Sequence, residues 1–239
     1  MEKILVVIPA YNEEKNIQNV LNELKKDFNC ADILVINDCS KDNTKNIVLE
    51  NDVDCITTVF NLKYAMAVQT GIKYAYKKGY DYVIQFDGDG QHIAKEAEKL
   101  ISKMKETDAD IVIGSRYMEN EFKQTFFKKA GTKMFSKLIK IFCKKDITDP
   151  LSGFQCLNKK VIEKYAKIGE YPEFPDANLI IQMLFEGYKI EEVSVKMRLR
   201  EFGESMHTGF INAIRYIVIV MYTIQTILIN NIKFKRRKE

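Results

Sequence analysis

The sequence predicts an α/β protein built on a mostly parallel central sheet with helices on both faces. Three observations carry that prediction. Apolar runs of strand length alternate with segments of helical periodicity through the first half of the chain. The strand runs are continuously apolar, as expected for strands covered on both faces. Polar clusters stand where those runs end, which is where parallel sheets present their loops to ligands. A chain of 239 residues, 46% hydrophobic and 29% charged, can bury one substantial core.

The elements follow in order. Residues 3–9 form a short apolar run ending at Pro9, and residues 13–28 carry Ile17, Val20, Leu21 and Leu24 at helical spacing. Ile33–Ile36 is a second strand, closed by Asn37-Asp38, and residues 41–51 read as a helix capped by Ser40. Residues 55–59 are a third strand, 64–78 a helix, 82–86 a fourth strand, 94–106 a helix and 111–114 a fifth strand. Polar residues follow the first, second and fourth strands: Tyr11-Asn12-Glu13, Asp38 to Asp42, and Asp87 to Gln91.

Several classes are disfavoured. The five cysteines (Cys30, Cys39, Cys55, Cys143 and Cys156) form no C-x-x-C pair, and there are only two histidines, which argues against a zinc site or a disulfide framework. No G-x-G-x-x-G follows the first strand, against a Rossmann dehydrogenase. The net charge of +4 is small, and no nucleic-acid partner is expected. The first strand starts too early and breaks too soon to be a secretory signal, so a cytoplasmic compartment is expected.

Asp87-Gly88-Asp89-Gly90-Gln91 is the most informative stretch. Residues i and i+2 of an extended chain point the same way, so Asp87 and Asp89 can share one target. The glycines let that target approach the backbone. Two hard oxygen ligands with open coordination positions suit Mg²⁺ or Mn²⁺ carrying a phosphorylated substrate, with Gln91 as a third oxygen. Taken alone, the same residues also describe an acidic turn after a buried strand.

The motifs Val7-Ile8-Pro9-Ala10-Tyr11-Asn12-Glu13-Glu14, Val35-Ile36-Asn37-Asp38-Cys39-Ser40, Asp87-Gly88-Asp89-Gly90-Gln91-His92, Gly114-Ser115-Arg116, Asp149-Pro150-Leu151-Ser152-Gly153-Phe154-Gln155 and Arg200-Glu201-Phe202-Gly203-Glu204-Ser205 resemble, in order and spacing over residues 3–206, those of glycosyltransferase family 2, in its dolichol-phosphate-mannose-synthase-like branch. The resemblance implies a GT-A fold, a nucleoside-diphosphate-sugar donor, a divalent cation and inversion at the anomeric carbon. It places Pro9, Tyr11 and Glu13 on the nucleoside, Asp38 on the base or ribose, and Gly88 beside the donor. Asp87, Asp89 and Gln91 would hold the metal under the diphosphate. Arg116 and Arg200 would meet phosphates, where a guanidinium fork fits. Two departures stand out. Many relatives read Asn-x-Gly-x-Gly where this chain reads Asn61-Leu62-Lys63-Tyr64-Ala65, so Lys63 either offers charge to the diphosphate or is simply solvated. Met206-His207 follows Glu204-Ser205, where relatives often carry lysine.

Charge concentrates in two segments. Residues 122–145 hold eight lysines and no acid. Phe127, Ala130, Met134, Leu138 and Ile141 recur at helical spacing, and Lys133, Lys137, Lys140 and Lys144 run along another face. Such a helix suits an anionic membrane surface or a lipid phosphate, or is an ordinary helix with a solvated lysine face. Near the C-terminus, Phe210, Ile214, Ile217, Met221, Ile224 and Leu228 form an apolar stripe before Lys233, Lys235, Arg236, Arg237 and Lys238. The uncharged run at 216–232 barely reaches the roughly 17 residues a span requires and contains Gln225, Asn230 and Asn231, so an interfacial or partner-docked amphipathic helix is expected.

The expected organisation is a GT-A domain over 1–206 and a membrane-surface or docking helix with a basic tail over 207–239. The expected activity is inverting sugar transfer from a UDP- or GDP-sugar to a polyprenyl phosphate, peripherally at the cytoplasmic membrane face. A small membrane protein or a second copy could dock on the C-terminal helix. A phosphate nucleophile needs no general base, whereas a sugar hydroxyl would need one, with Asp176 or Asp149 as candidates. The alternatives are a transferase extending a surface polysaccharide and a non-catalytic nucleotide-sugar-binding protein.

Overall fold

The computed structural model describes residues 2–119, 126–167, 169, 171–172, 174–200, 202, 218, 220–227 and 229. Seven strands, β1 (Ile4–Ala10), β2 (Asp32–Asn37), β3 (Asp54–Thr57), β4 (Tyr82–Gln85), β5 (Ile111–Ser115), β6 (Gln155–Asn158) and β7 (Ile190–Ser194), form one sheet in the order β3-β2-β1-β4-β6-β5-β7. The pairs β1–β2, β2–β3, β1–β4 and β5–β7 are parallel, and β6 runs antiparallel to β4 and β5. The carboxyl ends of the other strands therefore share one edge with the loop that enters β6.

The helices are α1 (Ile17–Asp27), α2 (Thr44–Glu50), α3 (Lys63–Lys78), α4 (Ala97–Thr107, preceded by a 3-10 turn at Ala94–Glu96), α5 (Phe126–Cys143), α6 (Lys159–Tyr165) and α7 (Ala177–Phe185). They cover both faces, and side-chain alternation along β1 feeds both cores. Leu5 and Val7 join a cluster with Val68 and Ile72 of α3, Ile162 of α6 and Ile181 of α7. Ile4, Val6 and Ile8 join another with Leu21 of α1, Val48 of α2 and Leu100 of α4. A Cβ at Gly71 would lie 2.2 Å from Val7 Cγ1, so the absence of a side chain there sets how closely α3 lies on β1.

Several boundaries move. α1 starts at Ile17, because residues 14–16 form a turn. α2 starts at Thr44, and Ser40 does not cap it: Ser40 Oγ accepts from the Asn12 amide, while Asp42 Oδ1 accepts from the Thr44 amide. β6, α6, α7 and β7 were not read from the sequence at all. β7 hides as a strand because it carries Glu191 and Glu192. Those carboxylates are spent on tertiary partners, Glu191 on Lys145 Nζ (3.0 Å) and Glu192 on the amides of Thr148 (2.7 Å) and Asp149 (2.9 Å).

The apolar stripe expected on the basic helix is also corrected. α5 buries Phe135 and Ile139 against the core, with Leu138 half-buried, while Met134 and Ile141 are exposed. Lys133, Lys137 and Lys140 are exposed too, and Lys144 lies past the helix end at φ +58°. In the C-terminal segment, 220–227 is helical and buries Val220 and Ile224; most of the 207–239 region lies outside the described residues. Among the described residues, no helix is long and apolar enough to cross a membrane.

Candidate active site

β2 and β3 lie on one side of β1 and β4 on the other, so the winding reverses between β1 and β4. The loops leaving those two carboxyl ends diverge and leave a crevice, the usual ligand site of an open α/β sheet. Tyr11 and Glu13 follow β1, Asp38 follows β2, and Asp87 and Asp89 follow β4. Pro9 lies within β1, paired with Ile36.

Asp87 is held on several sides. Tyr64 Oη donates to its Oδ1 (3.0 Å), its amide donates to His92 Nδ1 (3.0 Å), and His92 Nε2 lies 3.6 Å from its Oδ2. His92 is buried, stacks on Phe154 and meets Phe86 edge-on. Burial pushes its imidazole down to about 4, so it is neutral near pH 7 and can accept at Nδ1. Gly88 packs under the β1 exit: a Cβ there would lie 3.2 Å from the Pro9 carbonyl oxygen.

Asp89 Oδ1 accepts from the Gln91 amide (3.0 Å), and its Oδ2 lies 3.6 Å from Arg200 Nη1. Desolvation raises both aspartic acids above the ordinary carboxyl value, and the Asp87 charge adds to the effect at Asp89. Adjacent, partly desolvated carboxylates at a crevice mouth fit a hard divalent cation that keeps open positions for phosphate oxygens and water. Mg²⁺ and Mn²⁺ both meet that description. The Gln91 side-chain nitrogen donates to the Arg198 carbonyl (3.2 Å), tying the Asp89 turn to the segment leaving β7. Among the described residues, no three His, Cys, Asp or Glu side chains gather into a complete metal cage.

Arg200 reaches Asp89, and Arg116, although gripped by Asp149, is felt at Asp87, where the charges of both arginines oppose the rise of the carboxyl. Arg200 Nη2 donates to Glu13 Oε1 (2.7 Å) and Nε to the Phe202 carbonyl (2.8 Å). Glu13 is buried, accepts from Asn16 Nδ2 at its other oxygen (2.6 Å), and has its carboxyl raised by that burial. It thus orients Arg200. Arg116 Nε and Nη2 donate to the two oxygens of Asp149.

Asp38 serves the β3–α3 loop. Its Oδ1 accepts from the Leu62 amide (2.7 Å) and Thr58 Oγ1 (3.0 Å), and its Oδ2 from the Lys63 amide (2.9 Å). Val59 and Phe60 are pushed outward by that wrapping and are 92% and 66% exposed. Lys63 opens α3 at φ +71°, a left-handed backbone that favours glycine. Asp176 precedes α7, and its charge helps raise the phenols of Tyr64 and Tyr171. Tyr64, His92 and Gly153 lay within quoted motifs but were assigned no role, and Asn16 was not singled out. Tyr64 was signalled only by its place between the two missing glycines.

The family model for glycosyl transferase family 2 matches residues 5–166. The UDP-N-acetylglucosamine–dolichyl-phosphate N-acetylglucosaminyltransferase of Methanococcus voltae is 31% identical over 86% of this chain and 90% of its own. The polyprenol monophosphomannose synthase of Mycolicibacterium smegmatis is 24% identical over 87% and 82%. Among solved structures, glucosyl-3-phosphoglycerate synthase from Mycobacterium tuberculosis in complex with phosphoglyceric acid superposes with a TM-score of 0.69 at 15% identity, covering 95% of this chain and 80% of that one. The same synthase with Mn²⁺, UDP and glucosyl-3-phosphoglycerate gives 0.66 at 14% identity, over 96% and 80%. These two structures bear on the fold, which is GT-A. With the family model spanning the crevice and its carboxylate pair, the chain belongs to glycosyltransferase family 2.

Proposed function

We propose that this protein moves a sugar from a UDP- or GDP-sugar to a polyprenyl phosphate, with inversion at the anomeric carbon, at the cytoplasmic face of the membrane. The observation that carries the reading is the Asp87–Asp89 pair at the β1/β4 crevice, with Arg200 3.6 Å from Asp89. A bound Mg²⁺ or Mn²⁺ supplies Lewis-acid neutralisation of the diphosphate leaving group. Asp87 and Asp89 hold the cation. Arg200, oriented by Glu13 and the Phe202 carbonyl, adds positive charge where phosphate oxygens gather. Tyr11, exposed at the β1 exit, offers its ring to the base. Lys63 is exposed at the start of α3 and available to phosphate.

The acceptor follows from two lines of support. The two relatives described above are named for dolichyl-phosphate and polyprenol-monophosphate products or acceptors. A phosphate oxygen is already anionic and needs no base, and Asp149, whose oxygens both accept from Arg116, is not placed to be one. The outer face of α5 supports membrane contact: Lys133, Lys137 and Lys140 flank exposed Met134, Ile141 and Phe142, an arrangement suited to a peripheral interfacial helix. The 207–239 segment belongs to the same proposed surface and could dock a small membrane protein or a second copy.

Sugar-to-sugar transfer is the second reading, favoured by Asp176, whose charge is felt at Tyr64 beside the metal-ligand pair. The deciding experiment incubates purified protein and Mn²⁺ with radiolabelled UDP-N-acetylglucosamine, then GDP-mannose, and either polyprenyl phosphate, free polyprenol or an oligosaccharide. Label in organic-extractable lipid with polyprenyl phosphate alone supports the first reading. Label only in oligosaccharide, abolished by Asp176→Asn, supports the second. Sedimentation with anionic vesicles, reduced by salt, tests the membrane face; a protein left wholly in the supernatant at low salt removes that part of the reading.

A further inference from the structure

We infer that Tyr64 is a positioning residue that holds the Asp87 carboxylate in its metal-ligating orientation, and that Gly153 exists to leave room for that contact. The inference rests on the reading of Asp87 and Asp89 as cation ligands and adds a residue to that site.

Three segments distant in sequence converge on one carboxylate. Tyr64 comes from the first turn of α3, Asp87 from the exit of β4, and Gly153 from the loop entering β6. The phenol donates to Asp87 Oδ1 at 3.0 Å. A Cβ at position 153 would lie 2.7 Å from the Tyr64 oxygen and 3.5 and 3.7 Å from the two carboxylate oxygens. The first distance is closer than real Cβ contacts come, so any side chain at 153 would drive the phenol off the carboxylate.

The arrangement divides the work of the carboxylate. Oδ1 is engaged by Tyr64, and Oδ2 faces the His92 edge at 3.6 Å, a looser contact. A carboxylate held at one oxygen keeps its plane fixed when a cation arrives, and such outer contacts tune affinity for the ion. The phenol is the donor of this bond, because an ionised carboxylate oxygen can only accept. Tyr64 also takes its place from an unusual backbone. Lys63, immediately before it, has φ +71°, which starts α3 at the angle that delivers the ring to Asp87.

The test measures Mn²⁺ binding to the purified full chain by the loss of the free aqueous Mn²⁺ paramagnetic resonance signal, with UDP or GDP present. Asp89→Asn is the control for the metal reading. Tyr64→Phe keeps the ring and removes only the donor. It should weaken Mn²⁺ about tenfold, within the range typical for outer-shell partners, while the melting temperature stays close to that of the parent. Gly153→Ala should weaken Mn²⁺ in the parent but cost nothing further in the Tyr64→Phe background, where the clashing oxygen is gone. Should Tyr64→Phe melt too early to titrate, Gly153→Ala alone must weaken Mn²⁺. Parent-like Mn²⁺ binding by Tyr64→Phe, alongside loss in Asp89→Asn, overturns the inference and leaves the metal reading standing. An equal Gly153→Ala penalty in both backgrounds overturns it as well. A parent protein that binds no Mn²⁺ with either nucleotide overturns both.

Discussion

The Arg116 guanidinium grips the carboxylate of Asp149, with Nε 2.6 Å from Oδ2 and Nη2 2.8 Å from Oδ1, while the Arg116 amide donates to the same Oδ2 at 3.1 Å. Asp149 is fully buried, and its own amide donates to Glu192 Oε1. The pair therefore joins the exit of β5 to the loop entering β6 and to β7.

Breaking this pair should destabilise the fold. Arg116→Ala leaves a buried carboxylate without its fork and should cost about 3–5 kcal/mol, read by urea unfolding. Replacing both residues together, Arg116→Met with Asp149→Leu, should cost less than Arg116→Ala alone, because no unpaired charge remains buried. A double variant no more stable than the single one would count against this account.

Asp89→Asn should remove Mn²⁺-dependent donor binding and most activity while the protein still melts cooperatively. The side chain keeps its size, and the Gln91 amide can still donate to the remaining oxygen. Thermal shift with UDP or GDP checks this, since a ligand that binds only the folded state raises apparent stability. A nucleotide shift in excess chelator that matches the shift with Mn²⁺ would remove the metal from the site.

Lys63→Gly should stabilise the protein by about 1 kcal/mol, because Lys63 holds φ +71°, a region costly for any residue with a Cβ. The melting temperature should rise by roughly 2–4 °C for a chain of this size. If the lysine also meets the diphosphate, the same variant raises KM for the donor with kcat little changed. An unchanged KM makes Lys63 a solvated residue.

Asp38→Asn should loosen the β3–α3 loop. The carboxylate accepts from two amides and one hydroxyl, and an amide offers only one acceptor oxygen in place of two. Limited proteolysis near exposed Val59 and Phe60 should accelerate. Donor discrimination between UDP- and GDP-sugars should change only if the loop or Asp38 itself reads the base.

Gly71→Ala is the packing control. Its Cβ would fall 2.2 Å from Val7 Cγ1, within the core. Overpacking of this kind costs about 1–3 kcal/mol, and the closeness of the clash puts the expectation at the upper end. The crevice should be affected only through stability, so nucleotide binding per folded molecule should be unchanged.

The βα rhythm from β1 to β5 and the crevice motifs were legible in the order of residues alone. Those elements are long or continuously apolar, and their signals are local: periodicity, apolar runs, and acids and glycines at strand ends. Asp87 and Asp89 stand at the crevice because both follow the carboxyl end of β4, whereas Arg200, beyond β7, reaches Asp89 through the fold. The second half was decided by tertiary contacts. β7 carries two glutamates and is a strand by parallel pairing with β5, its carboxylates received by Lys145 and the amides of Thr148 and Asp149. α5 is apolar around much of its circumference, so periodicity could not choose which stripe would bury; packing against α7 and the core buried Phe135 and Ile139 and left Met134 and Ile141 outside. The roles of Arg116, Glu13 and Asp38 turned on partners far away in the chain, at Asp149, Arg200 and Leu62. A charged side chain read in isolation looks free for a ligand, and only the fold brings the neighbour that desolvates it and takes its hydrogen bonds.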